Sequence, residues 1–217
     1  MLTLFEEFFL LTLDDEKGNL VWFARKSFAF LTAGLILAEL ALVGKLGMGE
    51  KVRLVVLDEH PTGDPILDDT LEQIRSAEKL RKPSYWVSQL SVEPKKLKQS
   101  IGQRLVEKKI LIQDEKRFYR QEITPGSEPP MPDKFQLKQE LRALVFVNNE
   151  LDLRNMALLN LIAAANLLTL LFTQDEIETA EKVIQRQLLA SAMGNPVMEL
   201  VEEIIQAVSS VIEDELE

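Results

Sequence analysis

Residues 28–43, FAFLTAGLILAELALV, would be apolar on nearly every side of a helix. Such a helix has no face to offer water, so it belongs at the centre of a fold with other elements packed around it. Gly34 and the alanines at 29, 33, 38 and 41 are small positions where neighbouring helices can approach closely. A second apolar run, residues 156–172, contains Asn160 and Asn166. Both runs, at about 16 and 17 residues, fall short of the roughly 20 that a membrane span needs. The expectation is two buried helices.

The remainder of the chain supports a bundle around them. Residues 3–13 read as a short buried helix ended by the acidic, glycine-containing turn 14–19, and Leu20–Phe23 as a short extended piece. Its acids, Glu6 and Glu7, stand where a secretory signal would be basic. Gly44 and Gly47 end the central helix, Met48-Gly49-Glu50 turns the chain, and the β-branched run 52–57 is expected as a strand. Asp64 before Pro65 suits a cap and first turn for a helix over 66–79. Further helices are expected over 84–90 and 95–109. In the latter Leu97, Ile101, Leu105 and Val106 make an apolar stripe. A β-hairpin over 110–123 follows, then a proline-rich loop over 124–133. Helices over 137–147, 151–172, 175–193 and 196–216 complete the chain. The fold class is mainly α: a single-domain helical bundle over 1–217, with surrounding amphipathic helices and a small projecting β-hairpin.

Chemistry is narrowed by what the chain lacks. With no cysteine and one histidine, His60, thiolate and multi-histidine metal sites are excluded. Glycine-rich phosphate loops, nucleophile elbows and paired-histidine motifs are absent, so no cofactor and no enzymatic activity are expected. Asp64, Asp68 and Asp69 form the tightest acidic cluster, and helix-start acids that favour the dipole explain it better than a cation site.

Charge is distributed unevenly. Residues 79–120 hold twelve Lys or Arg against four acids, in a chain whose net charge is −10. A basic island in an acidic protein concentrates a local anionic partner. Its layout, a helix over 95–109 followed by a two-stranded wing, would also suit a winged-helix nucleic-acid binder. The overall acidity makes nucleic acid the less favoured partner. An anionic lipid surface suits Lys95 and Lys98 on the helix and the run Lys116–Arg120. There Arg117 and Arg120 flank Phe118 and Tyr119 as candidate membrane contacts. Strand alternation leaves open that one of the two aromatics packs on the body instead.

With these pieces named, the sequence resembles the Golgi phosphoprotein 3 family. The resemblance is carried, in order, by TLFEEFFLLTLDDEKGNL, GLILAELALVGKL, DEHPTGDPILDDTL, YWVSQL, QRLVEKKIL, MALLNLIAAANLLTLLF and ETAEKVIQRQLL. It implies a compact helical domain that binds phosphatidylinositol 4-phosphate at the cytosolic face of membranes and holds cytoplasmic tails of membrane proteins. The expected protein is therefore cytoplasmic and peripherally membrane-associated. The family's lipid pocket uses two basic residues on the helix preceding L-V-E-K, and these positions fall on Lys95 and Lys98. Its arginine position falls at about Ala33. Its tryptophan position falls near Ala24, so that a small shift within 20–32 would bring Trp22 or Arg25 to the ligand. The expected ligand-binding set is Lys95, Lys98, Trp22 and Arg25.

Overall fold

A computed structural model describes residues 2–113, 119–120, 133–148 and 151–216. Among them are nine α-helices: α1 (Leu4–Thr12), α2 (Phe28–Leu42), α3 (Pro65–Arg75), α4 (Pro83–Leu90), α5 (Pro94–Glu107), α6 (Lys134–Ala143), α7 (Leu153–Ala164), α8 (Gln174–Ala192) and α9 (Pro196–Leu216). The strands are β1 (Leu46–Gly49), β2 (Arg53–Val56), β3 (Ile112–Gln113) and β4 (Tyr119–Arg120). The mainly α bundle is as expected, and the hairpin β3–β4 pairs antiparallel with Ile112 opposite Arg120 and Gln113 opposite Tyr119.

Helix α2 is the axis. Residues 31–41 are all buried, and α9, α4, α7, α1 and α3 pack around it. Gly34 sets the approach of α9: a Cβ there would overlap Val208 Cγ2. The one acid on this helix is matched across the bundle. Glu39 accepts from the Leu4 amide at 2.7 Å and from Arg154 Nη1 at 2.8 Å, tying α1, α2 and α7 at one point. A buried carboxylate so far from water needs such partners.

Three expectations change. The glycine-rich residues after α2 do more than turn the chain, because Leu46–Gly49 is itself a strand paired with β2. Gly44 at φ 74° ends the helix, and the amides of Gly44 and Lys45 return to the carbonyls of Ala41 and Leu40. The expected helix over 151–172 is broken by Asn166 in the left-handed region at φ 55°. The amides of Asn166 and Leu167 close back on Ala163 and Ile162, and a 3-10 turn, Leu168–Leu170, follows. The piece expected to be extended at 20–23 makes a single bridge, Leu13 to Leu20, and then a 3-10 turn, Trp22–Ala24.

Candidate anion-binding site

The site is assembled from three places in the chain. The acidic turn after α1 is closed by Gly18 at φ 61°, whose amide donates to Asp14 O. Asp14 N donates to Asn19 O at 2.7 Å, and Tyr119 N donates to Gly18 O at 2.9 Å, which fastens β4 to the same turn. The 3-10 turn then lifts Trp22 outward, 79% exposed, while Ala24 beneath it is fully buried. Phe23 meets the indole edge-on at a centroid distance of 5.8 Å. Arg25 follows, exposed, with its Nε donating to Leu20 O at 3.1 Å.

The first two turns of α5 supply the rest. Lys98 is half-buried, with its Nζ 3.5 Å from Asn19 Oδ1. Burial first, and then the charge of Arg25, hold its ammonium below the ordinary lysine range. The two cations therefore feel one another, and among the described residues neither has a carboxylate partner. Like charges left together beside a partly desolvated ammonium are unfavourable until an anion joins them. Lys95 lies three residues earlier on the helix surface, exposed. Lys96 is engaged by Glu93 at 3.1 Å.

Of the expected ligand set, Lys98 and Arg25 are brought together beside the turn carrying Trp22, and Lys95 stands at the edge. Ala33 is fully buried within α2, so a cation at that position would point into the core. Arg25, by contrast, is exposed.

The expected membrane contacts divide. Arg117 and Phe118 lie outside the described residues, and Arg120 stands in β4 opposite Ile112. Tyr119 is corrected: only 3% exposed, its ring packs edge-on against Phe9 at 5.8 Å. It also fills the space above Gly102, where a Cβ would overlap it. A ring so enclosed is part of the core and not a membrane contact.

The acids singled out beside this region are structural. Asp64 caps α3 by accepting from the Ile66 and Leu67 amides and holds Arg104 in a two-pronged pair. Asp68 accepts from the Thr62 amide and hydroxyl and from the Gly63 amide, which lowers its pKa. No cluster of three or more His, Asp or Glu suited to a metal exists among the described residues. Sequence reasoning missed the partners of Arg104 and Lys108. Both reach Glu6 on α1, Lys108 at 2.7 Å and Arg104 at 3.3 Å. An acid inside the apolar run LFEEFF was the available signal, since a carboxylate placed there demands a cation.

Fold and site together define a helical-bundle protein in which a cation of the turn before the central helix and one near the start of α5 lie within electrostatic reach of each other. The chain belongs to the Golgi phosphoprotein 3 (GPP34) family, whose model matches residues 4–208. It is also 34% identical over 137 residues to Vacuolar protein sorting-associated protein 74 of Schizosaccharomyces pombe, across 54% of this chain and 40% of that protein. The match thus spans less than half of that relative's length. No helix among the described residues is long and apolar enough to cross a membrane.

Proposed function

We propose that the chain is a non-enzymatic, cytoplasmic, peripheral membrane-binding protein that recognises a phosphatidylinositol 4-phosphate-like or other anionic lipid headgroup. Lys98 and Arg25 hold the phosphate, Lys95 adds charge at the rim, and Trp22 enters the headgroup region. The observation that carries this reading is the pair Lys98–Arg25, neighbouring cations without a carboxylate, placed beside an exposed indole. Family membership supports it. Co-sedimentation with phosphatidylcholine vesicles, with and without phosphatidylinositol 4-phosphate, tests it. Binding should require the anionic lipid and weaken with salt. Charge reversal of both Lys98 and Arg25 should reduce it by about 30-fold or more, at roughly 1 kcal/mol per cation removed. Equal binding by the reversed variant sinks the assignment.

A second reading, an adaptor for cytoplasmic tails of membrane proteins, is favoured by a separate groove between α3, α4 and α5. It measures about 860 Å³ and joins apolar Ile66, Leu90 and Leu97 with Asp69, Glu93 and Glu107. That combination suits an apolar segment bearing a basic residue. Nucleic acid is the weaker alternative, because Arg104 and Lys108, which would extend the cationic track of α5, are engaged by Glu6 and Asp64.

A further inference from the structure

A cavity of about 840 Å³ lies beside the same 3-10 turn but is lined by other residues. Leu10, Leu13, Val21, Phe23, Leu111 and Leu170 wall it, and α6 runs along its edge. That helix places Lys134, Lys138 and Arg142 one turn apart on the cavity side. The outer two are held: Lys134 by Leu13 O and Asp15, and Arg142 by both oxygens of Glu176 and by Leu171 O. The lining acids are held as well. Asp14 accepts from the Glu16 and Lys17 amides, Asp15 pairs with Lys134, and Asp133 caps α6 through the Phe135 amide.

Lys138 is different. It is half-buried, and among the described residues no hydrogen bond or ion pair reaches its ammonium. Burial and the neighbouring charges of Arg142 and Lys134 lower its pKa, with only weaker opposing pulls from Asp15 and Glu176. Among the described residues the cavity therefore combines apolar walls with a cation that no carboxylate pairs. Its volume lies within the roughly 300–1,000 Å³ range of small-molecule sites, where apolar lining and a few polar anchors are the rule.

We propose that this cavity binds a medium-chain fatty acid, with the chain along the apolar walls and the carboxylate on Lys138 Nζ. The proposal stands on residues separate from Lys98, Arg25, Lys95 and Trp22 and does not depend on the headgroup assignment.

Titration calorimetry of the full chain with dodecanoate, below its micellar concentration, tests it. One molecule should bind saturably. Decanoate should bind more weakly by roughly fourfold for each methylene lost. Lys138→Ala should weaken dodecanoate by about tenfold and leave dodecanol unchanged, because the lost contact is charge-assisted. Thr169→Trp, at an exposed position on the lining, should abolish uptake by filling the mouth. The double reversal of Lys98 and Arg25 should retain dodecanoate binding, which separates failure here from failure of the headgroup reading. Absence of saturable uptake overturns the proposal, as does dodecanol binding as tightly as dodecanoate or undiminished affinity in Lys138→Ala. Should Thr169→Trp fail to fold, Lys138→Ala and the dodecanol comparison decide alone.

Discussion

The two ends of α5 carry similar residues and opposite designs. At its C-terminal end Arg104 and Lys108 converge on Glu6, which is wholly buried, and Arg104 also grips Asp64. At its N-terminal end Lys98 feels the charge of Arg25, and among the described residues neither has a carboxylate partner. The first arrangement joins α1, α3 and α5 around a carboxylate that is itself wholly buried. The second leaves charge at the surface in a form that a bound anion would complete. The same side-chain chemistry thus serves stability at one end and, in the proposed function, a ligand at the other, and only the partners across the fold distinguish them.

The comparison is broken most forcefully at Glu6. Burial alone would raise its carboxyl pKa, but the Lys108 ammonium, the Thr3 amide and the Arg104 guanidinium bring it below the ordinary value. Glu6→Ala removes the shared anion, and should cost about 3–5 kcal/mol in urea-denaturation stability. The acid limb is a second readout. Because the folded-state pKa is depressed, this stabilisation is present above the unfolded value of 4.5 and is lost as pH falls through the folded one. Glu6→Gln should flatten that part of the pH profile. A loss under about 1 kcal/mol for Glu6→Ala would mean that the C-terminal cluster is no more structural than the Lys98–Arg25 pair.

Asp64→Ala probes the same end less severely. It deletes the cap of α3 and one of two partners of Arg104 while Glu6 remains. A destabilisation of about 2 kcal/mol is expected in chemical denaturation, near the upper range for a lost cap. Asp64→Asn should recover part of it, since an amide oxygen still accepts from the Ile66 and Leu67 amides.

At the very end of α5 the effect should reverse sign. Lys109 follows the helix in the left-handed region at φ 59°, with its amide and that of Ile110 closing on the Val106 and Leu105 carbonyls. A side chain is costly in that conformation and glycine is not. Lys109→Gly should raise the thermal midpoint, by about 1 kcal/mol of stability, without altering lipid binding.

Periodicity made most helices readable, because burial of one stripe on α5 or of every side of α2 is written in local spacing. What it could not supply was anything that depends on a partner far along the chain. The strand Leu46–Gly49 has two glycines and no β-branched residue, and exists because β2 pairs with it. The break at Asn166 lay within an apolar run of helical length, where asparagine, a residue that tolerates the left-handed region, was the one local sign of it. The candidate site was legible as a set of cations, yet the sequence did not separate Lys98 from Arg104. That distinction lies in Glu6, 98 residues from Arg104, and in Arg25, on a turn whose course local patterning did not define. Tyr119 shows the same limit. Alternation in a short strand says that one neighbour faces inward, and the empty space above Gly102 decides which.

The finest test of the comparison is a substitution that should change stability almost not at all. Lys98→Met keeps the aliphatic stem that is half-buried beside Asn19 and removes the charge that Arg25 opposes. No ion pair is lost, so the change should stay within about 0.5 kcal/mol at neutral pH, in either direction. The sign has a pH signature. A lysine whose folded pKa is depressed destabilises the fold while protonated, and this penalty fades as pH rises through the folded pKa toward the unfolded 10.5. Any stability advantage of Lys98→Met should therefore shrink on the alkaline side, whereas its loss of anionic-vesicle binding should already be plain at neutral pH. A large destabilisation instead would place Lys98 with Arg104 and Lys108 as a structural cation, and the two ends of α5 would no longer be different in kind.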